Sequence, residues 1–153
     1  MKESTGLFMD IRQKLPSRTD AVSAFIADAL EGIKKEFLPT EEDIFHIRLA
    51  LEESLINAIK HGNKLNPDLM VDVAVISRGH RLIMMVKDQG EGFAFDHIPD
   101  PTDEDKLMKT SGRGIFLIKK IMDKVVFSDN GREVRMEKTF HKNKNAVPRS
   151  KRQ

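Results

Sequence analysis

The segment from Val22 to Phe37 constrains the fold more than any other part of the sequence. Its apolar residues recur every three or four positions, a spacing that places them on one face of an α-helix. They are Val22, Phe25, Ile26, Ala29, Leu30, Ile33 and Phe37. A helix with one apolar face must bury it against another layer of structure. The sequence therefore predicts a layered domain in which this helix covers other elements.

A second helix is predicted directly after the first. Pro39 ends the first helix, and Thr40 with Asp43 has the spacing of an N-terminal capping box. The second helix is expected to run to about Lys60. Because it is apolar over much of its circumference, we expect it to be more buried than the first.

Strand-like runs flank these helices. The first begins near Leu7 and ends near Pro16, and Ser17 is then placed to cap the first helix. Four further runs are expected to form two hairpins, over residues 70–76 with 81–87 and 125–128 with 132–140. Residues 115–122 have the pattern of a short helix. The polar stretch 95–110 is typical of a functional lid or a disordered segment. This order of elements fits one mixed or antiparallel sheet covered by helices.

Composition narrows the class of protein. A chain of 153 residues, 39% hydrophobic and 33% charged, is sufficient for one globular domain, and it has no apolar run long enough to span a bilayer. The N-terminus lacks the features of a secretory signal, so a cytoplasmic location is expected. The absence of cysteine excludes thiolate metal sites and thiol catalysis.

The positive charge lies mostly at the C-terminal end. Five basic residues follow Phe140, namely Lys142, Lys144, Arg149, Lys151 and Arg152. Without them the net charge of +2 becomes about −3, which does not favour a nucleic-acid-binding core. We therefore expect a domain over residues 1–140 and a disordered basic tail over 141–153. The alternative for the tail is an electrostatic contact with a partner or with nucleic acid.

Three motifs remain once the common nucleotide signatures are tested. Neither a P-loop nor a dinucleotide-binding glycine motif is present, and the histidines have no metal-ligand spacing. The motifs are Glu53-x-x-x-Asn57 on the second helix, Asp88-Gln89-Gly90-Glu91-Gly92-Phe93 after a strand, and Ser111-Gly112-Arg113-Gly114-Ile115 before a helix.

The first motif is suited to a metal and a nucleophile. Glu53 and Asn57 are four residues apart and lie on one helix face, and Lys60 and His61 fall in the same quadrant. A carboxylate and an amide oxygen can position hydrated Mg²⁺. The alternative is an ordinary solvent-facing stripe.

The other two motifs are suited to a nucleotide. Asp88 could accept hydrogen bonds from an amino group, while glycines at Gly90 and Gly92 let the backbone approach a ligand. Backbone N–H groups of Gly112 and Gly114, at a helix N-terminus, would favour a phosphate. The alternatives are a tight turn and a flexible hinge.

Together these motifs resemble the boxes of the Bergerat-fold, histidine-kinase-like (GHKL) ATPases. Residues 53–62, ESLINAIKHG, are similar to the N box, residues 88–93 to the G1 box, and residues 112–118, GRGIFLI, to the G2 box. The His61-Gly62 ending, with Met122-Asp123 after the last helix, is most similar to the anti-sigma-factor serine/threonine kinases. The resemblance implies an α+β fold, a two-layer sandwich with helices on one face of a mixed, mostly antiparallel sheet.

The resemblance also implies roles. Glu53 would orient or deprotonate the attacking hydroxyl, Asn57 would hold Mg²⁺, and Asp88 would bind the adenine of ATP. The other residues implied to contact the nucleotide are Lys60, His61, Gly90, Gly92, Phe93, Ser111, Gly112, Arg113, Gly114 and Ile115.

The function implied is transfer of the ATP γ-phosphate to Ser or Thr of a small STAS-type antagonist protein, together with sequestration of a sigma factor. A homodimer is a further implication. Two alternatives are a nucleotide-gated binding module without significant kinase activity and an ATP-independent scaffold. The chain departs from the family where Arg132 replaces a common Thr and Thr110 a common basic residue, and the resemblance leaves open how these two departures affect nucleotide affinity and the lid contact to the terminal phosphate.

Overall fold

In the part of the chain that the computed structural model describes, three helices cover one face of a five-stranded sheet. The structure describes residues 9–92 and 110–140, and for residues 110–113 it describes the backbone alone. The helices are α1 (Asp20–Phe37), α2 (Glu41–Ile56) and α3 (Thr110–Ile121). The strands are β1 (Asp10–Pro16), β2 (Met70–Arg78), β3 (Arg81–Lys87), β4 (Lys124–Ser128) and β5 (Glu133–Thr139).

The sheet has the strand order β1-β2-β3-β5-β4, and every neighbouring pair of these described strands is antiparallel. Both predicted hairpins are present, β2–β3 across Gly79-His80 and β4–β5 across a 3₁₀ turn at Asp129–Gly131. The predicted α+β sandwich is therefore confirmed, in its antiparallel form.

The core lies between the helices and alternate residues of the sheet. The helix-facing positions of the two central strands are Val71, Val73, Val75, Leu82, Met84 and Val86. The α1 face predicted from spacing is buried in the same core, from Val22 to Ile33. None of the described helices combines the length and apolar character that crossing a membrane requires.

The predicted start of α1 at Ser17 is wrong. The helix begins at Asp20 after Thr19, whose side chain makes no capping hydrogen bond. Ser17 is buried, and its Oγ donates to the carbonyl oxygen of Leu69 at 2.6 Å. The hydroxyl is therefore used to attach the loop before β2, and cannot cap the helix. In contrast, the capping box at the start of α2 is present in both directions.

The last helix begins earlier than predicted. Its first residue is Thr110, whereas the pattern indicated residue 115, because glycines at 112 and 114 lower the helical propensity of the segment. The expected lid over residues 95–110 lies, except for Thr110, outside the described residues, as do Phe93 and the tail from residue 141.

Candidate active site

The end of the second helix changes its winding where the first motif lies. The α-helix ends at Ile56, and Asn57–Gly62 form a π-helical segment. The N–H of Asn57 is shared between the carbonyl oxygens of Glu53 and Ser54, and the N–H of Asn63 donates to Ala58 at 2.8 Å. Short π segments inside helices occur frequently at functional sites.

This winding alters the predicted helix face. The prediction that Lys60 and His61 share a helix quadrant with Glu53 and Asn57 depends on α-helical geometry, and residues 57–62 are π-helical. Both side chains are exposed. Their contact with the nucleotide stays a prediction.

A buried asparagine joins the end of the N-box segment to the loop that follows β3. Asn63 is 1% exposed, and its amide nitrogen donates to Ser17 Oγ and to the carbonyl oxygen of Met70, each at 3.0 Å. Its amide oxygen accepts the N–H of Gln89 at 2.8 Å. Asn63 is absent from the site residues predicted from the sequence, because its segment has the composition of an ordinary polar loop. Its position directly after the N box was the available signal.

Asp88 lies against the end of the π segment. Its carboxylate accepts the N–H of Gly90 at 2.8 Å and lies directly beside Gly62. A Cβ on Gly90 would collide with the carbonyl group of Gly62, which is backbone and cannot move cheaply. Glycine is thus required at Gly90 by the close approach of the two segments. The segments predicted to be the N box and the G1 box are brought together here.

The carboxylate of Asp88 is buried and has a shifted pKa. It is 7% exposed, and this burial raises its pKa above the ordinary value of 3.8. The Gly90 hydrogen bond and the charge of Arg132 oppose the increase in its pKa, while the charge of Asp129 adds to it. A buried carboxylate with a raised pKa at the end of a strand is typical of a ligand-binding group.

The Glu53-x-x-x-Asn57 motif contacts the start of α3 at Gly114. A Cβ at Gly114 would lie 2.7 Å from Glu53 Oε2 and 3.3 Å from Asn57 Nδ2. Glu53 is half-buried, and its carboxylate has no hydrogen bond or ion pair with another residue in the ranges 9–92 and 114–140, whose side chains the structure describes. A carboxylate without such a partner can accept a proton from a nucleophile held nearby.

The arrangement fits a magnesium ion at Asn57. The Asn57 Oδ1 atom is buried and has no hydrogen-bond partner among the described residues, an arrangement that ordinarily costs free energy. No group of three or more His, Asp or Glu residues in the described parts of the chain could hold a metal by itself. Mg²⁺ is often held by one or two protein oxygens, with phosphates and water completing its shell. The donor set therefore fits Mg²⁺ that arrives with a nucleotide.

The G2-box residues lie at the start of α3. Ser111, Gly112 and Arg113 belong to the first turn, where backbone N–H groups lack intrahelical acceptors. Gly114 is the fifth helical residue, so its N–H falls where intrahelical bonding begins. Ile115 is buried at 6% exposure. Phosphate binding is thus expected at the first turn more than at Gly114 itself.

The remaining glycine of the G1 box lies beside the β4–β5 turn. Gly92 has φ +86°, in the region that favours glycine, and it lies against the carbonyl oxygen of Asn130. The loop after β3 therefore packs against the π segment at Gly90 and against the β4–β5 turn at Gly92.

The comparison with protein families decides the affiliation. The model of the histidine kinase-like ATPase domain matches residues 15–138, most of the chain. The chain belongs to this family. The resemblance found in the three boxes is therefore confirmed.

Two relatives that are similar to this chain have the same name. The serine-protein kinase RsbW of Staphylococcus epidermidis is 29% identical over 140 residues, 86% of this chain and 87% of the relative. The protein of the same name from Staphylococcus aureus strain Newman is 26% identical over the same shares. The similarity thus extends over nearly the whole of both chains.

Proposed function

We propose that the protein is an ATP-dependent serine/threonine protein kinase of the anti-sigma-factor type. The observation that carries the proposal is the position of Glu53 beside Gly114 and Asn57. The Glu53 carboxylate thus lies against the helix whose first turn would bind phosphate, one helical turn from the proposed metal ligand. Phosphoryl transfer requires chiefly positioning and charge stabilisation, together with a residue that orients the nucleophile.

The proposed roles follow the geometry. The buried carboxylate of Asp88 would accept a hydrogen bond from the amino group of adenine, and Gly90 and Gly92 would shape the floor of the nucleotide pocket. The first turn of α3, from Ser111 to Arg113, would bind the phosphates. Bound Mg²⁺ would neutralise charge that develops on the phosphates, and Asn57 Oδ1 would supply one of its ligands.

Further nucleotide contacts are proposed from the family resemblance. Lys60 and His61 lie on the π segment between Asn57 and Gly62 with exposed side chains, available to a ligand above the pocket. Ile115 would contribute through its backbone at the start of α3, because its side chain is buried. Phe93 is proposed as a contact on sequence grounds.

The proposed partners are a small STAS-type antagonist, which would receive the phosphate, and a sigma factor, which would be sequestered. The relatives named serine-protein kinase support a hydroxyl acceptor. We also propose a homodimer, on the family resemblance.

The experiment that tests kinase activity compares Glu53→Gln with a matched control, Glu52→Gln. Glu52 is the preceding residue of α2 and is exposed, so both variants lose one carboxylate from the same helix turn. Transfer from γ-labelled ATP with Mg²⁺ into proteins of an extract of the source organism is measured. Removing a general base costs about 10²–10⁴-fold in rate, so transfer should be lost in Glu53→Gln and kept in Glu52→Gln.

Binding is measured in parallel by calorimetry. Both variants should bind ATP with the affinity of the wild type, since Glu53 acts on the nucleophile. Equal transfer by the two variants would contradict the role of Glu53. Tight ATP binding by the wild type with no transfer into any protein would favour the nucleotide-gated binding module instead.

A further inference from the structure

One arginine side chain connects the end of the G1 box to the β4–β5 turn. The guanidinium of Arg132 donates from Nε to the carbonyl oxygen of Gly90 at 2.7 Å and from one terminal nitrogen to that of Glu91 at 3.1 Å. Its other terminal nitrogen donates to the carbonyl oxygen of Asp129 at 3.1 Å. Three backbone carbonyls from two segments are thus held by one planar group.

The backbone of the same residue continues this connection. The N–H of Asp88 donates to the carbonyl oxygen of Arg132 at 3.0 Å. Gly90 is therefore held at both of its polar groups, its N–H by the Asp88 carboxylate and its carbonyl by Arg132. A shift of the guanidinium would displace Gly90, and with it the hydrogen bond that orients the Asp88 carboxylate.

The charge of Arg132 acts on the same group. Burial raises the pKa of Asp88, and the nearby guanidinium opposes this increase. Arg132 thus favours the ionised carboxylate, which accepts hydrogen bonds through both oxygens and donates none.

We propose that Arg132 is a positioning residue that sets the orientation of Asp88 and thereby the preference of the site for adenine over guanine. This inference rests on the proposed function, in which Asp88 binds the base. Arg132 acts through the G1 loop and its side chain is 29% exposed. Its geometry matters as much as its charge, because a lysine presents its donors from a single nitrogen and cannot span the three carbonyls.

The test uses the full chain and four proteins, namely the wild type, Arg132→Ala, Arg132→Lys and Arg135→Ala. Arg135 lies on β5, three residues after Arg132, and its Nε pairs with Glu137 on the face of the sheet away from the helices. It therefore controls for loss of a nearby arginine that does not contact the G1 box. Affinities for ATP and for GTP are measured by displacement of a fluorescent ADP analogue, and thermal unfolding is followed by circular dichroism.

We expect Arg132→Ala to weaken ATP binding on the order of tenfold, the effect of disturbing one charge-assisted hydrogen bond. GTP binding should change little, so the ratio of the two affinities falls. Arg132→Lys should resemble Arg132→Ala, and Arg135→Ala should resemble the wild type. A site that hydrogen-bonds a substrate amino group discriminates strongly against a base that lacks it, which makes the ratio a sensitive measure.

An unchanged ratio in both Arg132 variants would overturn the proposal, as would equal losses for ATP and GTP, which indicate general loosening. Full affinity in Arg132→Lys would show that charge alone suffices and would overturn the geometric claim. If Arg132→Ala is unfolded, Arg132→Lys still decides. A wild type that binds no ATP would instead contradict the proposed function, so the two failures are distinguishable.

Discussion

Replacement of Gly114 by alanine tests how closely Glu53 must be placed. The added carbon would lie 2.7 Å from Glu53 Oε2, so that atom must move by about 0.7 Å to reach an ordinary contact of 3.4 Å. In active sites a misplacement of about 1 Å costs on the order of 10²-fold in rate. We therefore expect kcat for phosphate transfer to fall by some tens of fold in Gly114→Ala, on the order of 2 kcal/mol in the barrier.

The same change should leave the fold intact. The atom that must move is the end of a flexible, half-buried side chain, and alanine is favoured over glycine within a helix by about 0.5–1 kcal/mol. The melting temperature of Gly114→Ala should therefore equal or slightly exceed that of the wild type. The KM for ATP should change little, because Asp88 is not displaced.

The assay is steady-state transfer from γ-labelled ATP, with Gly32→Ala as the matched control. Gly32 is also a helical glycine, and its added carbon would meet the flexible side chain of Met9 at 2.9 Å, away from the proposed site. The control should keep the wild-type kcat. A wild-type kcat in folded Gly114→Ala would refute the reasoning, and so would a loss confined to KM.

The remaining predictions concern Asp88 and Asn63. Asp88→Asn should lower ATP affinity on the order of tenfold or more by calorimetry, because an ionised acceptor is lost. Asp88→Asn should also raise the free energy of unfolding at neutral pH. A carboxylate whose pKa is raised in the folded state destabilises the fold at pH values above that pKa, and the substitution removes this cost. The gain in stability should vanish below the ordinary pKa of an aspartate. The ATP affinity of the wild type should fall as the pH is lowered towards the raised pKa of Asp88, because the carboxylate becomes protonated. An ATP affinity that is unchanged in Asp88→Asn would contradict the assignment of Asp88 to adenine. Asn63→Ala should lower the free energy of unfolding by about 2 kcal/mol in chemical denaturation, because Gln89, Ser17 and Met70 each lose a buried partner. The exposed Asn66→Ala should cost less, and equal losses would show that the Asn63 network is not structural.

Local patterns predicted the fold well because they act within a few residues. The apolar face of α1, the capping box at Thr40 and the two hairpins depend on spacing and turn chemistry that the sequence displays directly. Ser17 failed as a cap because a distant loop takes its hydroxyl, a contact 52 residues away along the chain. A capping pattern in the sequence cannot show that a distant carbonyl group competes for the serine hydroxyl.

The sequence supplied candidates for the site but not their geometry. The boxes pointed to Glu53, Asn57 and Asp88 as candidates, but the π winding after Ile56 has no pattern in the sequence. Arg132 was visible only as a departure from the family. Its hydrogen bonds to Gly90 and Glu91 depend on how the hairpin β4–β5 lies against the loop after β3, which is tertiary structure.

The most direct test of the account is the chemical nature of the phosphate transferred by the wild-type protein. An extract of the source organism is incubated with γ-labelled ATP and Mg²⁺, and the labelled protein is treated with acid before its modified residue is identified by mass spectrometry. We predict an acid-stable phosphoserine or phosphothreonine on one small protein, absent when Glu53→Gln replaces the wild type. Label that is lost in acid, or that persists in Glu53→Gln, would contradict the account.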